Sequence, residues 1–517
     1  MRTRSFNMSE NIRRLTAVCI AAWLSSVAVS ASAQPAPAKR LLDSAAEAMG
    51  GIERLRRLEN FALTGFGQQL YFDGGGNVTG DVNAPPKWRG VADAERVFDL
   101  RNKRAVYQER WAFMFPFAAP FGTSWNRTST LQTGGDMLDH PLPALLEALD
   151  PETTLGAVTI EGGDPVVQFT VEGGTALWMA FDPATHLPKW TRRVVPHQNL
   201  GEVAVTSYFT GYAAFSGVQL PLGLMNRIDW RDQITLMFQV DSYRVDVPQN
   251  QLPAFPAPAQ RNAGASPTAT VTALGKGVWD VRVGANGGPI IEFDDHLVMF
   301  EAGGGPAATL ARIDAANALV RGKQVTAVIV SHHHFDHTAG LRAAVSRGLA
   351  VISHRGNEGI IREMIERPAS VFPDDLAKSP HPLQFVPVDE HLTLQDRTQR
   401  LDIYRVLNHT HMANGVLAYL PEHRILMEGD LGDEAWSWHW WAGAMKANLD
   451  AYDLKPVKNV AVHGPPGGLS IEETLANTQA QAEAAQKFCG EQAAKGVFPF
   501  GCPVQYDASG ALPLAPR

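Results

Sequence analysis

Residues 331–337 read Ser-His-His-His-Phe-Asp-His and follow directly on the apolar run Val325–Val330. Alternate residues of an extended segment point the same way, so His332 and His334 can face one point together. Asp336 and His337 follow at the turn and can face a second point. Imidazole and carboxylate at this density suit zinc. A chain with this motif must bring further ligands to it from other strand ends, where α/β proteins build their sites.

The rest of the chain supplies such ligands in order. His411 lies in "HTHMANGVLAYLP" (409–421), ahead of an apolar strand. Asp430 ends "RILMEGD" (424–430), and His463 ends "VKNVAVH" (457–463) before Gly464-Pro465-Pro466-Gly467-Gly468. His409, two residues before His411, is an alternative ligand. His333 alternates with His332 and His334 and is expected to point away from the metals. His354 ends the strand "LAVISH" and is at most a nearby pocket residue.

As an ordered set, these motifs resemble the metallo-β-lactamase superfamily over roughly 270–470. "GKGVWDVRVGANGGPIIEFDDHLVMFEAG" (275–303) is similar to the opening strands of that family. The resemblance implies an αββα sandwich, so the fold class expected is α+β, a metallo-β-lactamase sandwich preceded by a β-rich antiparallel-sheet domain. It implies that His332, His334 and His411 hold one metal, that Asp336, His337 and His463 hold another, and that Asp430 bridges both. It prefers His411 over His409, from the spacing to the following strand. The implied cofactor is two Zn2+, with iron or manganese as alternatives. The implied reaction is attack of a dizinc-bound hydroxide on an ester, lactone or amide carbonyl, with Asp336 as the catalytic residue that orients the nucleophile or shuttles a proton.

Cysteine at the bridging position would indicate one of the classic β-lactamase subclasses. Aspartate there resembles the glyoxalase II, lactonase and phosphodiesterase-like branches. β-Lactam hydrolysis and phosphate- or sulfate-ester hydrolysis are therefore alternatives. An iron-dependent oxidoreductase and a lipid-binding carrier are competing classes, although no flavin-binding segment is visible and the ligand set is full. No G-x-S-x-G is present to suggest a serine nucleophile.

Beside Asp430 runs "EAWSWHWWAGAM" (434–445), with four of the twelve tryptophans within six residues. Trp436 and Trp438 are candidates for an aromatic wall that binds an apolar or ring-bearing substrate, and His439 for a weaker contact. A helix face packing on the first domain is the structural alternative. "ASVFPDDLAKSPHP" (369–382) reads as a loop that could cap the site.

Four domain-level segments are expected. Residues 1–33 carry Arg2, Arg4, Arg13 and Arg14 against Glu10, then an apolar run from Leu15 to Val29, then Ala31-Ser32-Ala33. This is the pattern of a cleaved signal peptide, and it implies a periplasmic or secreted protein. Its removal takes the net charge from −8 to −11. Residues 34–247 read as a β-rich domain, with a helix over Leu41–Leu58 and strands at Phe61–Phe72, Val166–Val171, Ala176–Phe181, Val203–Phe209 and Ile234–Val247. Turns are expected at Gly74-Gly75-Gly76 and Asp182-Pro183. Residues 248–268 read as a linker. Residues 269–517 read as the hydrolase domain, with strands at Val271–Val283, Pro289–Phe300 and Val325–Val330, and helices at Ala307–Val320, Gly340–Arg347 and Ile471–Phe488.

Gly50-Gly51, "FDPATHLPKW" (181–190) and "YAAFSGVQLP" (212–221) resemble the periplasmic lipoprotein-carrier family. That resemblance implies a curved antiparallel sheet over a helix, with a lipid or other apolar ligand as its partner. A purely structural partner for the second domain is the alternative.

At 517 residues and 45% hydrophobic the chain can bury more than one core, which excludes wholesale disorder. Its acidity argues against a nucleic-acid partner. No apolar run reaches the ~18–20 residues of a membrane span, so no transmembrane span is expected; the expected partner is a small-molecule substrate. Outside the leader stand Cys489 and Cys502, for which a disulfide is expected in an oxidising compartment.

Overall fold

The computed structural model describes residues 35–72, 78–84, 86–113, 126–171, 174–256, 267–409, 411–432 and 443–496. The expected leader, the Gly74–Gly76 turn, Cys502, Trp436, Trp438 and His439 lie outside the described residues. Cys489 is disulfide-bonded. No helix among the described residues is long and apolar enough to cross a membrane.

The first region is one sheet of eleven strands between Asn60 and Val245. Sequence neighbours pair antiparallel, except that Asn126–Thr133 and Thr154–Glu161 form the two edges. The first strand, Asn60–Leu70, pairs with the last, Gln233–Val245, which joins the two halves. Two helices pack on one face: Pro35–Met49 buries Leu42, Ala45, Ala46 and Met49, and Pro141–Ala148 buries Leu142 and Leu145, in a core with Phe61, Phe98 and Phe169.

The opening helix departs from the expected Leu41–Leu58. It ends at Met49 and restarts at Ile52. Gly50 and Gly51 break it, with φ of 131° and 93°, and a Cβ on Gly50 would stand 2.3 Å from the Gly217 carbonyl oxygen. Only glycine makes that turn so close to a neighbouring backbone.

The second region holds a seven-stranded and a six-stranded sheet. Two of the expected strands are each a hairpin. Val271–Val283 divides into Thr270–Gly275 and Val278–Val283 around Gly277 (φ 71°), and Pro289–Phe300 into Asn286–Glu292 and Leu297–Phe300. From Leu297 onward the seven-stranded sheet is parallel: Leu297–Phe300, Val325–Ile329, Ala350–His354 and Phe385–Val388. The two sheets meet across a core of Ile291, Phe300, Ile329 and Ile352 from one, and Ile403, Ala418, Met427 and Val460 from the other. Against the outer face of the first of these lie helices Pro306–Leu319, Leu341–Ser346 and Glu358–Glu366, through Ile313, Val345 and Met364.

The two regions share packing beyond the expected linker. Leu200, Val203, Ile228 and Trp230 of the first belong to the same apolar cluster as Met299, Ile313, Leu341 and Met364 of the second. Glu202 accepts from Ser370 Oγ, Val371 N and Phe372 N at 2.8, 2.8 and 3.1 Å. The segment read as a loop over the site is thus fastened to the first sheet at its start, and it contains the helix Asp375–Lys378. Leu252 and Phe255, at the start of the expected linker, pack against Ala62, Val97 and Val106.

Candidate metal centre

The strand Val325–Ile329 lies inside the seven-stranded sheet, with Val328 and Ile329 fully buried. Its continuation carries Ser331 and His332 out at the C-terminal end. Ser331 N donates to Glu301 Oε1 at 2.7 Å, and Ser331 O accepts from Val416 N at 2.8 Å, which ties the two sheets together beside the site. His334 then opens a single helical turn, Phe335–Thr338, and its carbonyl accepts from His337 N, Thr338 N and Thr338 Oγ1. The turn carries Asp336 and His337. Asp430 stands two residues beyond the strand Ile425–Glu428 in a left-handed conformation (φ 58°). Gly429 before it passes so close to the first ligand strand that a Cβ would lie 2.3 Å from Ser331 Oγ.

Two groups of possible metal ligands result: His332, His334, His411 and Asp430, and Asp336, His337, Asp430 and His463. In the first, His332 Nε2 is 2.9 Å from His334 Nδ1, which is 3.1 Å from His411 Nε2, and Asp430 Oδ2 stands 2.9 Å from His411 Nε2 and 3.5 Å from His332 Nε2. In the second, His337 Nε2 and His463 Nε2 are 3.2 Å apart. Asp430 Oδ1 lies 3.3 and 3.4 Å from them, and Asp336 Oδ2 3.6 Å from each. Nitrogens bound to one zinc at about 2.0–2.1 Å in tetrahedral geometry stand about 3.3 Å apart. The donor spacing and the N/O donor set both fit a divalent ion in each group.

The two groups differ electrostatically. Burial, then the neighbouring His337 and His332 respectively, holds His332 and His334 well below the usual imidazole range, and burial lowers His411 against the pull of Asp430. The first group therefore presents neutral imidazoles. Burial opposes charge on His337, but Asp430, Asp336 and Glu301 outweigh it and raise its pKa well above the usual value. Burial likewise opposes ionisation of Asp430, and the facing His337 outweighs it and holds the carboxyl well below its ordinary range. The second group is a cluster of opposed charges.

The outer contacts orient the ligands. Ser331 Oγ meets His332 Nδ1 at 2.9 Å, which leaves Nε2 pointing inward. Glu301 Oε2 faces His337 Nδ1 at 3.3 Å. Asn199, from the first region, donates to Phe335 O and Thr338 Oγ1 at 2.8 and 2.9 Å. Sequence reasoning missed these three. Glu301 carried one signal, an acid at the end of the buried run Leu297–Phe300; its φ of 71° appears only in the structure. Asn199 carried none.

His409 lies in neither group; its Nδ1 accepts from His411 N and Met412 N, each at 3.3 Å. His333 is also in neither and lines a cavity with Tyr71, Phe72 and Phe335. His354 Nδ1 accepts from Gly356 N at 3.0 Å.

Residues 290–435 match the family model for the metallo-beta-lactamase superfamily, a stretch that contains His332 through Asp430 and stops short of His463. This match supports a domain of that superfamily in the C-terminal part of the chain. Among solved structures, the chain is similar to a metallo-beta-lactamase from Pontibacter korlensis, with 21% identity and a TM-score of 0.31, over 41% of this chain and 100% of that one. It is also similar to metallo-beta-lactamases from Hirschia baltica (18%, 0.30, 41% and 96%) and Erythrobacter litoralis (17%, 0.32, 42% and 96%). No curated protein matches the chain. The superfamily match and the histidine–aspartate groups support a metal-dependent hydrolase in general.

Proposed function

We propose that the protein is an exported dizinc hydrolase of an ester, lactone or amide whose acyl or leaving part is apolar or aromatic. The observation that carries this reading is the carboxylate of Asp430. Its Oδ2 faces the first ligand group and its Oδ1 the second, so one side chain spans both. In this reading His332, His334 and His411 hold one ion, Asp336, His337 and His463 the other, and the domain is an αββα sandwich with its site at the sheet edge.

Bound there, a pair of divalent ions supplies Lewis acidity and a water of lowered pKa. The chain's own residues do the rest. The neutral imidazoles of the first group offer lone pairs without first losing protons. Asp336 Oδ2 stands 3.6 Å from His337 Nε2 and from His463 Nε2, and in this reading its carboxylate holds a proton of the attacking water. Trp436, Trp438 and His439 are the substrate-contacting residues in this reading. Aspartate rather than cysteine at the bridging position favours esters and lactones over β-lactams.

Residues 1–33 direct the protein to the periplasm or outside the cell. The first sheet, with helices on one face, is consistent with kinship to the lipoprotein carriers and with a lipid or apolar ligand there.

The test is a set of initial rates on an acyl-lactone, an aryl ester, an amide, a β-lactam, a phosphodiester and a sulfate ester, with and without chelator, beside Asp430→Ala. Turnover of a carbonyl substrate, abolished by both chelation and the substitution, supports the reading. Turnover confined to the phosphodiester or sulfate ester replaces the substrate class. Iron in place of zinc, with no hydrolysis, replaces the reaction.

A further inference from the structure

The first sheet encloses a cavity of ≈280 Å³ on its helix-bearing face, away from the ligand groups. Strand alternation explains the apolar part of a lining that is otherwise polar and includes Arg89, Glu109, Asp136 and Asp139. Leu63, Arg96, Phe98, Tyr107, Leu224 and Leu236 come from five strands and point to one face.

Arg96 is the anomaly in this wall. It is 6% exposed, and its guanidinium lies between two rings, with Cζ 4.5 Å from the centre of Tyr107 and 4.1 Å from that of Phe238. Both faces are therefore covered, and polar partners can reach it only at its edge. On that edge Nε has no hydrogen-bond partner, and Nη2 makes a single contact with Glu109 Oε2 at 3.5 Å, the limit of a hydrogen bond. A buried cation with so little compensation is costly.

Of the other charges on the wall, Arg89 donates through Nε to Gln69 Oε1 at 2.9 Å, and Asp136 and Asp139 are taken by Arg193, which stands outside the lining, at 2.9 and 3.2 Å. His140 meets the Tyr243 hydroxyl at 3.2 Å through Nε2 and accepts from Leu142 N through Nδ1. Burial, with the Arg96 charge, pushes its pKa down to about 3, so it is neutral. The cavity thus offers an open guanidinium edge beside the apolar side chains of Leu63, Phe98, Leu224 and Leu236.

We propose that this cavity is a second binding site, separate from the metal centre, for a carboxylate carried on an apolar body, with the Nε–Nη2 edge of Arg96 as its anchor. That edge presents two parallel N–H groups at the spacing of the two carboxylate oxygens. Water filling the cavity is the competing occupant. The site stands whether or not the hydrolase reading does.

The experiment is calorimetric titration of the full chain with octanoate, octanol and acetate, before and after chelation. Octanoate is expected to bind once per chain, and acetate and octanol at least about tenfold more weakly. Arg96→Met keeps the apolar bulk and is expected to lose octanoate affinity by at least about tenfold, with metal-dependent turnover unchanged. Glu109→Gln removes the competing acceptor and is expected to tighten octanoate binding, which keeps the test open should Arg96→Met fail to fold. No octanoate binding, equal binding of octanol, equal binding by Arg96→Met, or loss of the site on chelation would each overturn the proposal.

Discussion

Asn199 holds the metal-ligand turn from the first region of the chain: its amide donates to the Phe335 carbonyl at 2.8 Å and to Thr338 Oγ1 at 2.9 Å. Phe335, which stands between His334 and Asp336, is gripped by the same region. Its ring stacks on Phe72 at 4.9 Å and packs against Trp230 at 5.6 Å and His197 at 5.5 Å. The residue between two possible ligands is thus fixed by partners more than 100 positions away in sequence. Asn199→Ala is expected to lower metal affinity about tenfold, within the range for partners that orient ligands. Competition with a chromophoric chelator measures it, and unchanged affinity would show that the turn holds itself.

The shared carboxylate of Asp430 gives a stoichiometric prediction. His334→Ala touches only the first group and His463→Ala only the second. Each is expected to cost one metal equivalent. Asp430→Ala removes an oxygen from both and is expected to cost more than either, with activity down by more than about a hundredfold. Elemental analysis of the purified variants decides it. Loss of a single equivalent in Asp430→Ala would mean the two groups load independently.

Glu301 is 0% exposed, and its Oε2 faces His337 Nδ1 while Oε1 takes the Ser331 amide. A carboxylate behind a ligating imidazole raises its basicity and fixes its ring. Glu301→Gln keeps the shape and removes the charge. It is expected to weaken metal binding about 10–100-fold at the His337 group and to leave the His332 group nearly unchanged. A cobalt-substituted titration with two resolvable steps separates the groups. Equal weakening of both would count against a local role.

How much of this was legible in the sequence follows from the range of the forces involved. Alternation placed the His332 and His334 side chains together, and the apolar runs ahead of Ser331, Asp430 and His463 marked strand ends, because both signals are local. Five strands were legible in the first region where eleven form. The edge strand "NRTSTLQT" (126–133) has no apolar alternation to read. Val271–Val283 read as one strand because both arms of the hairpin are apolar and only Gly277 marks the turn. Arg96 and Asn199 were not legible at all, and Glu301 only as an acid at the end of an apolar run. What makes each notable is a partner, or the lack of one, supplied by a distant strand.

Trp230 belongs to the apolar cluster shared by the two regions, and its indole nitrogen donates to Glu363 at 2.8 Å. Arg231 beside it bridges Glu363 and the Gly80 carbonyl. Trp230→Ala is expected to cost about 3–5 kcal/mol of stability, as for a large buried aromatic. It is also expected to turn a single denaturation transition into two, as the regions lose their common core. Fluorescence and circular dichroism followed through the same urea titration would show it. Two transitions already present in the unchanged protein would mean that the shared packing does not couple the regions.

Acid sensitivity should come from histidines buried neutral. His140 is pushed down to about 3 by burial and then by the Arg96 charge, and His197 to about 4 by burial and then by the Arg367 charge. In the unfolded chain both return to an ordinary imidazole near 6.5. Between those values the unfolded state binds more protons than the folded one, so stability rises with pH and falls as pH drops below about 6.5. The loss for His140 continues to about pH 3, at a limiting slope of about 1.4 kcal/mol per pH unit. His140→Gln cannot take up that proton. Its thermal midpoint, followed from pH 7 to pH 4, is expected to fall less steeply than that of the unchanged protein, by the share of one proton. Parallel curves would mean that His140 is protonated in the fold, and that the Arg96 cavity holds more positive charge than its geometry indicates.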